Sequence, residues 1–289
     1  MPTRRDFIRL STLAAAAGCA ASLPRSAVAQ FHPGGLIYGV QLYEVRRQLQ
    51  QDLTGTLKKI AAIGFRQVEV FPPVYNRSAA ELKHILEDAG LGSVSGHFDY
   101  ATFESKIEFA HQLGLRYMVC PMIPQDHWGS RESFRKAAAD FNRWGAAVRD
   151  AGMEFVFHNH DYEFKSFEGT SAWQILMDNT DPHLVKLELD VYWLIQAGQD
   201  PETMIKRYAD RFRLFHLKDR TPNAPISYDM SAASQHFTEL GQGSIPFPKL
   251  LELVHRAGVK YVYLDQDETP SPVFQSMAGS FAYLKRLNL

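Results

Sequence analysis

Cysteine is nearly absent from this 289-residue chain: only Cys19 and Cys120 occur. Cys19 falls in a leader-like segment, so the mature chain keeps one thiol and no internal disulfide, and its stability must come from the core. An excess of one charge sign is missing too. Lys and Arg total 31 against 32 Asp and Glu, a net charge of -1. No strongly basic face is implied, and nucleic acid is a poor candidate partner. There is no acidic tail and no polybasic membrane patch. Neither G-x-G-x-x-G nor a P-loop occurs, and Gly241-Gln242-Gly243 lacks the strand-turn-helix context of a dinucleotide site. No internal repeat or low-complexity stretch stands out. The apolar run Leu10 to Leu23 is too short and too weakly hydrophobic for a stable membrane span.

What is present begins with that run. Thr3-Arg4-Arg5-Asp6-Phe7-Ile8-Arg9 reads as a twin-arginine export signal, and Ala27-Val28-Ala29 places cleavage before Gln30. A lipoprotein form modified at Cys19 is the weaker alternative, because Ala16 stands where a larger aliphatic residue is usual. The expected organisation is a signal peptide over 1–29 and one domain over 30–289, located in the periplasm.

The mature chain alternates between two textures. Short runs rich in β-branched and aromatic residues predict eight strands: Ile37–Tyr43, Gln67–Phe71, Ser93–Phe98, Tyr117–Met122, Glu154–His158, Val185–Tyr192, Leu214–Lys218 and Tyr261–Asp265. Segments with apolar residues at three- and four-residue steps lie between them, such as Leu82, Ile85, Leu86 and Ala89. Several helical segments run into glycine, at Gly64, Gly90, Gly114, Gly152 and Gly258, the residue that closes helices without steric cost. Eight such alternations predict an α/β fold, a single (β/α)8 TIM barrel. A doubly wound open sheet is the alternative. Residues 220–246 read as a loop over the mouth.

In such a barrel, chemistry belongs at the carboxyl ends of the strands. The stretch Glu154-Phe155-Val156-Phe157-His158-Asn159-His160-Asp161-Tyr162-Glu163-Phe164 fits that rule: a hydrophobic strand ends in titratable groups. His158, Asp190, His216 and Asp265 end four successive strands and form a candidate metal set of two imidazoles and two carboxylates. Buried together they are costly unless a cation offsets the charge, and they suit manganese, cobalt, zinc or iron(II). His160 is the first candidate base and Glu163 the second. Lys218 is placed to hold a developing anion. Gln41, Glu69, His97, Trp193 and Asp267 are candidate substrate contacts, with Trp193, Tyr192 and Phe71 available to stack on a sugar ring.

At His158-Asn159-His160-Asp161-Tyr162-Glu163-Phe164, Leu189-Asp190-Val191-Tyr192-Trp193, His216-Leu217-Lys218-Asp219, Glu239-Leu240-Gly241-Gln242-Gly243 and Leu264-Asp265-Gln266-Asp267, the chain resembles the sugar phosphate isomerase/epimerase family, the xylose-isomerase-like barrels. The resemblance is to its exported branch and covers nearly all of the mature chain. It implies a metal-dependent isomerase, epimerase or keto-sugar lyase that removes a proton next to a carbonyl, with the metal as Lewis acid. It implies a small sugar or keto-sugar as partner and leaves a homo-oligomer open. In the epimerase branch the metal ligands are Glu, Asp, His and Glu. Asp190 and His216 match the middle two. His158 and Asp265 replace the outer glutamates, so Glu163 stays open as a substitute first ligand. A non-catalytic sugar-binding barrel is the alternative function. The endonuclease branch of the fold is opposed by the near-neutral charge.

Overall fold

Eight parallel strands close on themselves in the computed structural model, which describes residues 35–287. The expected signal peptide lies outside those residues. In chain order the barrel strands are β1 Ile37–Gln41, β2 Gln67–Val70, β3 Gly92–His97, β4 Tyr117–Cys120, β5 Glu154–His158, β6 Val185–Asp190, β7 Phe212–Leu217 and β8 Tyr261–Leu264. β1 pairs with both β2 and β8, so the sheet has no free edge and the open-sheet alternative falls. Among the described residues, no helix is long and apolar enough to cross a membrane.

Side chains alternate across each strand, and the alternation builds two cores. Outward residues such as Phe155, Phe157, Leu187, Leu189 and Phe215 pack under the helices. Inward residues Tyr117, Val119, Val156, Leu214 and Tyr263 fill the barrel itself. Tyr263 fits because β1 carries glycine opposite it: a Cβ on Gly39 would lie 2.5 Å from the Tyr263 ring. Ser95 satisfies the phenol, its Oγ lying 2.9 Å from the Tyr263 hydroxyl. The helix Arg131–Asp150 shows how the outer layer is held. Ser130 caps it through a bond from the Ser133 amide, and Phe134, Ala138, Phe141, Trp144 and Val148 form its buried stripe. Each large side chain buried there contributes roughly 1.5–3 kcal/mol. All five glycines expected to close helices have positive φ.

Most strands stop one or two residues before the sequence pattern does. At β6 the expected strand residues Val191 and Tyr192 turn into a helix, Val191–Gln196. Asp190 causes the turn. Its Oδ1 accepts the Tyr192 and Trp193 amides at 3.0 and 3.2 Å, the bond pattern of a helix N-cap.

The segment 220–246 is more ordered than a plain loop. Asp219–Arg220 pairs antiparallel with Phe237–Thr238. Asp219 Oδ2 accepts the amides of Gly241 and Gly243 at 2.8 and 3.0 Å, and Oδ1 those of Arg220 and Ile245 at 2.8 and 3.2 Å. A Cβ on Gly243 would stand 2.2 Å from Asp219 Oδ1. One buried carboxylate thus ties the motif after β7 to the Gly-Gln-Gly turn. Asp219→Ala strands four amides and should destabilise the protein by about 3 kcal/mol or more. Urea unfolding measures this, and a loss below about 1 kcal/mol would show that the turn holds without it.

Candidate active site

The upper end of the barrel interior is polar, and it is built in two layers. Strand register sets the lower one. Gln41 pairs with Glu69, His158 with Glu188, and Tyr263 with His216. Inward positions one step above the apolar plug therefore carry Glu69, His97, His158, Glu188 and His216. All five are buried. Three imidazoles aim at two glutamates. His97 Nε2 lies 3.0 Å from Glu188 Oε2 and 3.1 Å from Glu69 Oε2. His158 Nδ1 lies 3.0 Å from Glu188 Oε2. His216 Nε2 lies 2.7 Å from Glu69 Oε2 and 3.1 Å from Glu188 Oε1. Gln41 Nε2 donates to Glu69 at 2.7 Å.

The upper layer holds Asp190, Lys218, Asp265 and Asp267. The Lys218 ammonium is 2.9 Å from Asp190 Oδ2, 2.7 Å from Asp265 Oδ2 and 3.2 Å from Asp267 Oδ2. His216 joins the layers, its Nδ1 donating to Asp265 Oδ2 at 2.9 Å. His158 Nε2 faces Asp190 Oδ2 at 3.8 Å.

The charges follow from this packing. Burial alone would raise the Glu69 carboxyl, but the His97 and His216 rings outweigh it and hold it well below the usual carboxylate range. Burial works against a charged His97, yet Glu69 and Glu188 raise it to about 9. His216 is driven well up in the same way by Glu188 and Glu69. His158 is held well down by burial and by its imidazole neighbours. Burial opposes the Lys218 ammonium, but the three aspartates outweigh it and raise it well above the usual lysine value. Asp265 is held far down against its burial by Lys218 and His216. Burial lifts Asp267 to about 7.

Two groups of donor atoms could each hold an ion: His97, His158, Glu188 and His216, and Asp190, His216 and Asp265, all within 4.8 Å of one another in each group. Two buried oxygens without a partner, Glu69 Oε1 and Asp265 Oδ1, point to the same conclusion. This donor set suits a divalent metal. Of the four residues expected to ligate, Asp190, His216 and Asp265 share one group, and His158 sits in the other.

The remaining candidates divide. His160 is 8% exposed, with Nδ1 unpartnered, and its ring centroid is 4.9 Å from that of His158. Glu163 turns away: its Oε2 accepts the His160 amide at 3.0 Å, and burial raises the carboxyl to about 8. Gln41 and Glu69 lie wholly under the rim, bound to the lower layer. His97 stands between Glu69 and Glu188. Asp267 reaches the mouth, its side chain 20% exposed. Trp193 is 2% exposed, packed against His160 and Phe237 with Lys218 over its ring, so its face is not open for sugar stacking. Tyr192 is fully buried and Phe71 nearly so.

Sequence reasoning missed Glu188. The signal existed, because Glu188 and Asp190 are two apart on one strand and share a face. It also missed the wall beside the rim. A cavity of about 800 Å³ opens there, lined by Trp128, Phe134, Tyr162, Phe167, Tyr228 and Met230 among others. Trp128 stacks on Tyr162 with ring centroids 3.8 Å apart. Tyr162 in turn lies beside His160 at 6.3 Å.

Buried imidazoles, carboxylates and a lysine, converging above the packed core of a closed parallel barrel, define a barrel enzyme with a candidate metal centre. The chain belongs to the xylose isomerase-like TIM barrel family, whose model matches residues 57–277. It is similar to the inosose dehydratase of Lacticaseibacillus casei, 27% identical over 232 residues that cover 74% of this chain and 70% of that one. It is also similar to the structure of a sugar phosphate isomerase/epimerase from Parabacteroides distasonis, with a TM-score of 0.73, 25% identity, and coverage of 87% of this chain and 96% of that one. The IolI protein with a bound zinc atom shares the fold at a TM-score of 0.66 and 13% identity, covering 87% of this chain and 98% of its own.

Proposed function

We propose that this protein is a metal-dependent enzyme acting on keto-sugars, removing a proton next to a carbonyl as the first step of an elimination. The relatives that dehydrate inososes support the chemistry, and the buried donor cluster at the upper end of the barrel interior carries it. A divalent ion bound there supplies positive charge to offset the negative charge that develops on the carbonyl oxygen. The chain's own residues do the rest. His160, kept neutral by burial and by the nearby Lys218 charge, takes the proton on its unpartnered Nδ1. Lys218, cationic and held between Asp190 and Asp265, would add a second positive charge near that oxygen. The electron pair left on carbon then expels the oxygen substituent one carbon further on, which leaves as water or alcohol after taking up a proton. An enone remains, so atoms and charge balance.

The aromatic cavity favours a substrate larger than one sugar ring. A space of about 800 Å³ accommodates a ring with a second group attached, since drug-sized ligands occupy about 300–1,000 Å³. A 3-keto-glycoside fits that description, its leaving group lying between Trp128 and Tyr228. The export signal expected at residues 1–29 suits an unphosphorylated sugar outside the cytoplasm.

The base assignment has a direct test by solvent deuterium exchange into a keto-sugar. His160→Ala should keep its metal and lose exchange by about a hundredfold or more. Glu163→Gln should keep most of it, because the amide oxygen can still accept the His160 backbone bond. The reverse pattern would make Glu163 the base.

A further inference from the structure

We propose that the ion is held in the lower layer, by His97 Nε2, His158 Nδ1, His216 Nε2 and Glu188, with Asp190 and Asp265 acting as the outer shell that orients the histidines. This rests on the reading that the site holds a divalent ion and departs from a rim set of His158, Asp190, His216 and Asp265.

Three observations carry it. First, the lower donors are imidazole nitrogens from three different strands, all within 4.8 Å of one another and of a Glu188 oxygen. Such a donor set, from fully or almost fully buried side chains, suits zinc.

Second, the other nitrogens of two of these rings are directed at carboxylates. His216 Nδ1 donates to Asp265 at 2.9 Å, and His158 Nε2 faces Asp190 at 3.8 Å. A ligating histidine characteristically gives its remaining N–H to a carboxylate, which fixes its tautomer and raises its basicity. Asp190 is rigid enough for this role, since its Oδ1 is already committed to capping the following helix.

Third, the rim has a cation of its own. Lys218 stands 2.9 and 2.7 Å from the Asp190 and Asp265 oxygens that a rim ion would need. An ion there would have to displace or abut an ammonium group. Among the described residues, the basic groups that pair with Glu69 and Glu188 are all histidines. An ion bound there displaces the imidazole protons, and two glutamates with one divalent ion then sum to zero charge, which is the condition for burying such a group.

The test is zinc bound to the full chain, read by X-ray absorption at the zinc edge and by competition with a chelator. The lower layer predicts three imidazoles around the ion and about a hundredfold weaker binding in His97→Ala. A count of one or two imidazoles, or unchanged zinc affinity in a folded His97→Ala, would overturn the assignment. So would failure of the wild-type chain to bind zinc, cobalt or manganese. The spectrum of the wild-type chain decides the matter even if the variant does not fold. Because coordination is read without substrate, a rim-type spectrum with normal proton exchange would remove this inference and leave the proposed reaction standing.

Discussion

His216→Ala is expected to lose the bound ion and to lower proton exchange by about a thousandfold or more. His216 is the only residue common to both donor groups, presenting Nδ1 to the Asp190–Asp265 group and Nε2 to the group with His97, His158 and Glu188. No other single substitution removes a donor from both layers. Loss of the ion removes several kcal/mol of charge stabilisation from the transition state, and about 4 kcal/mol is a thousandfold in rate. Elemental analysis of the purified variant and the exchange rate are read together, with circular dichroism to show that the barrel is intact. Retention of the metal at the wild-type ratio would mean that neither donor group holds the ion. Retention of exchange without metal would mean that the chemistry does not use one.

Lys218→Ala is expected to destabilise the metal-free protein by about 3–5 kcal/mol at neutral pH, since removing one partner of a buried charge network leaves the others uncompensated. The ammonium is 2% exposed, and its three aspartate partners are 0%, 4% and 20% exposed, so solvent screens little of this. The pH dependence identifies the cause. Lys218 is raised in the folded state, so its contribution is complete below the unfolded lysine value of about 10.4 and is lost as pH rises through the folded one. Asp265 is depressed, so its contribution is present above the unfolded aspartate value of about 3.9 and is lost as pH falls toward the folded one. The deficit of the variant should therefore be widest between those limits. It should shrink toward the acid side as the orphaned aspartates take up protons. Urea titrations at pH 5, 7 and 9 measure it. A deficit independent of pH would assign the loss to packing of the lysine stem instead.

Much of this was legible in the chain. The alternation of strand and helix, with glycines closing the helices, specified the closed barrel because each signal arises locally. The end of β5 was legible for the same reason: Phe155, Val156 and Phe157 need burial, and His158 cannot share it without partners. What failed to show in sequence was depth. Two inward residues on one strand, Glu188 and Asp190, belong to different layers, and only the register of β6 against β5 and β7 separates them. Val191 and Tyr192 read as strand because their apolar texture is the same in a buried helix, and the Asp190 cap that decides between them depends on two backbone amides. The clasp of three aspartates around Lys218 and the aromatic cavity were hidden because each is assembled from residues far apart in the chain. The twin-arginine signal, by contrast, stands on sequence alone.

Proton removal next to a carbonyl should depend on the bound ion. The most direct measurement follows an inosose and a 3-keto-glycoside by NMR in deuterium oxide, with the protein loaded with metal and again after chelation. Deuterium should appear at the carbon beside the carbonyl, with release of water or alcohol, both lost on chelation and restored by adding metal. A sugar that binds tightly yet neither exchanges nor eliminates, with metal or without, would contradict it.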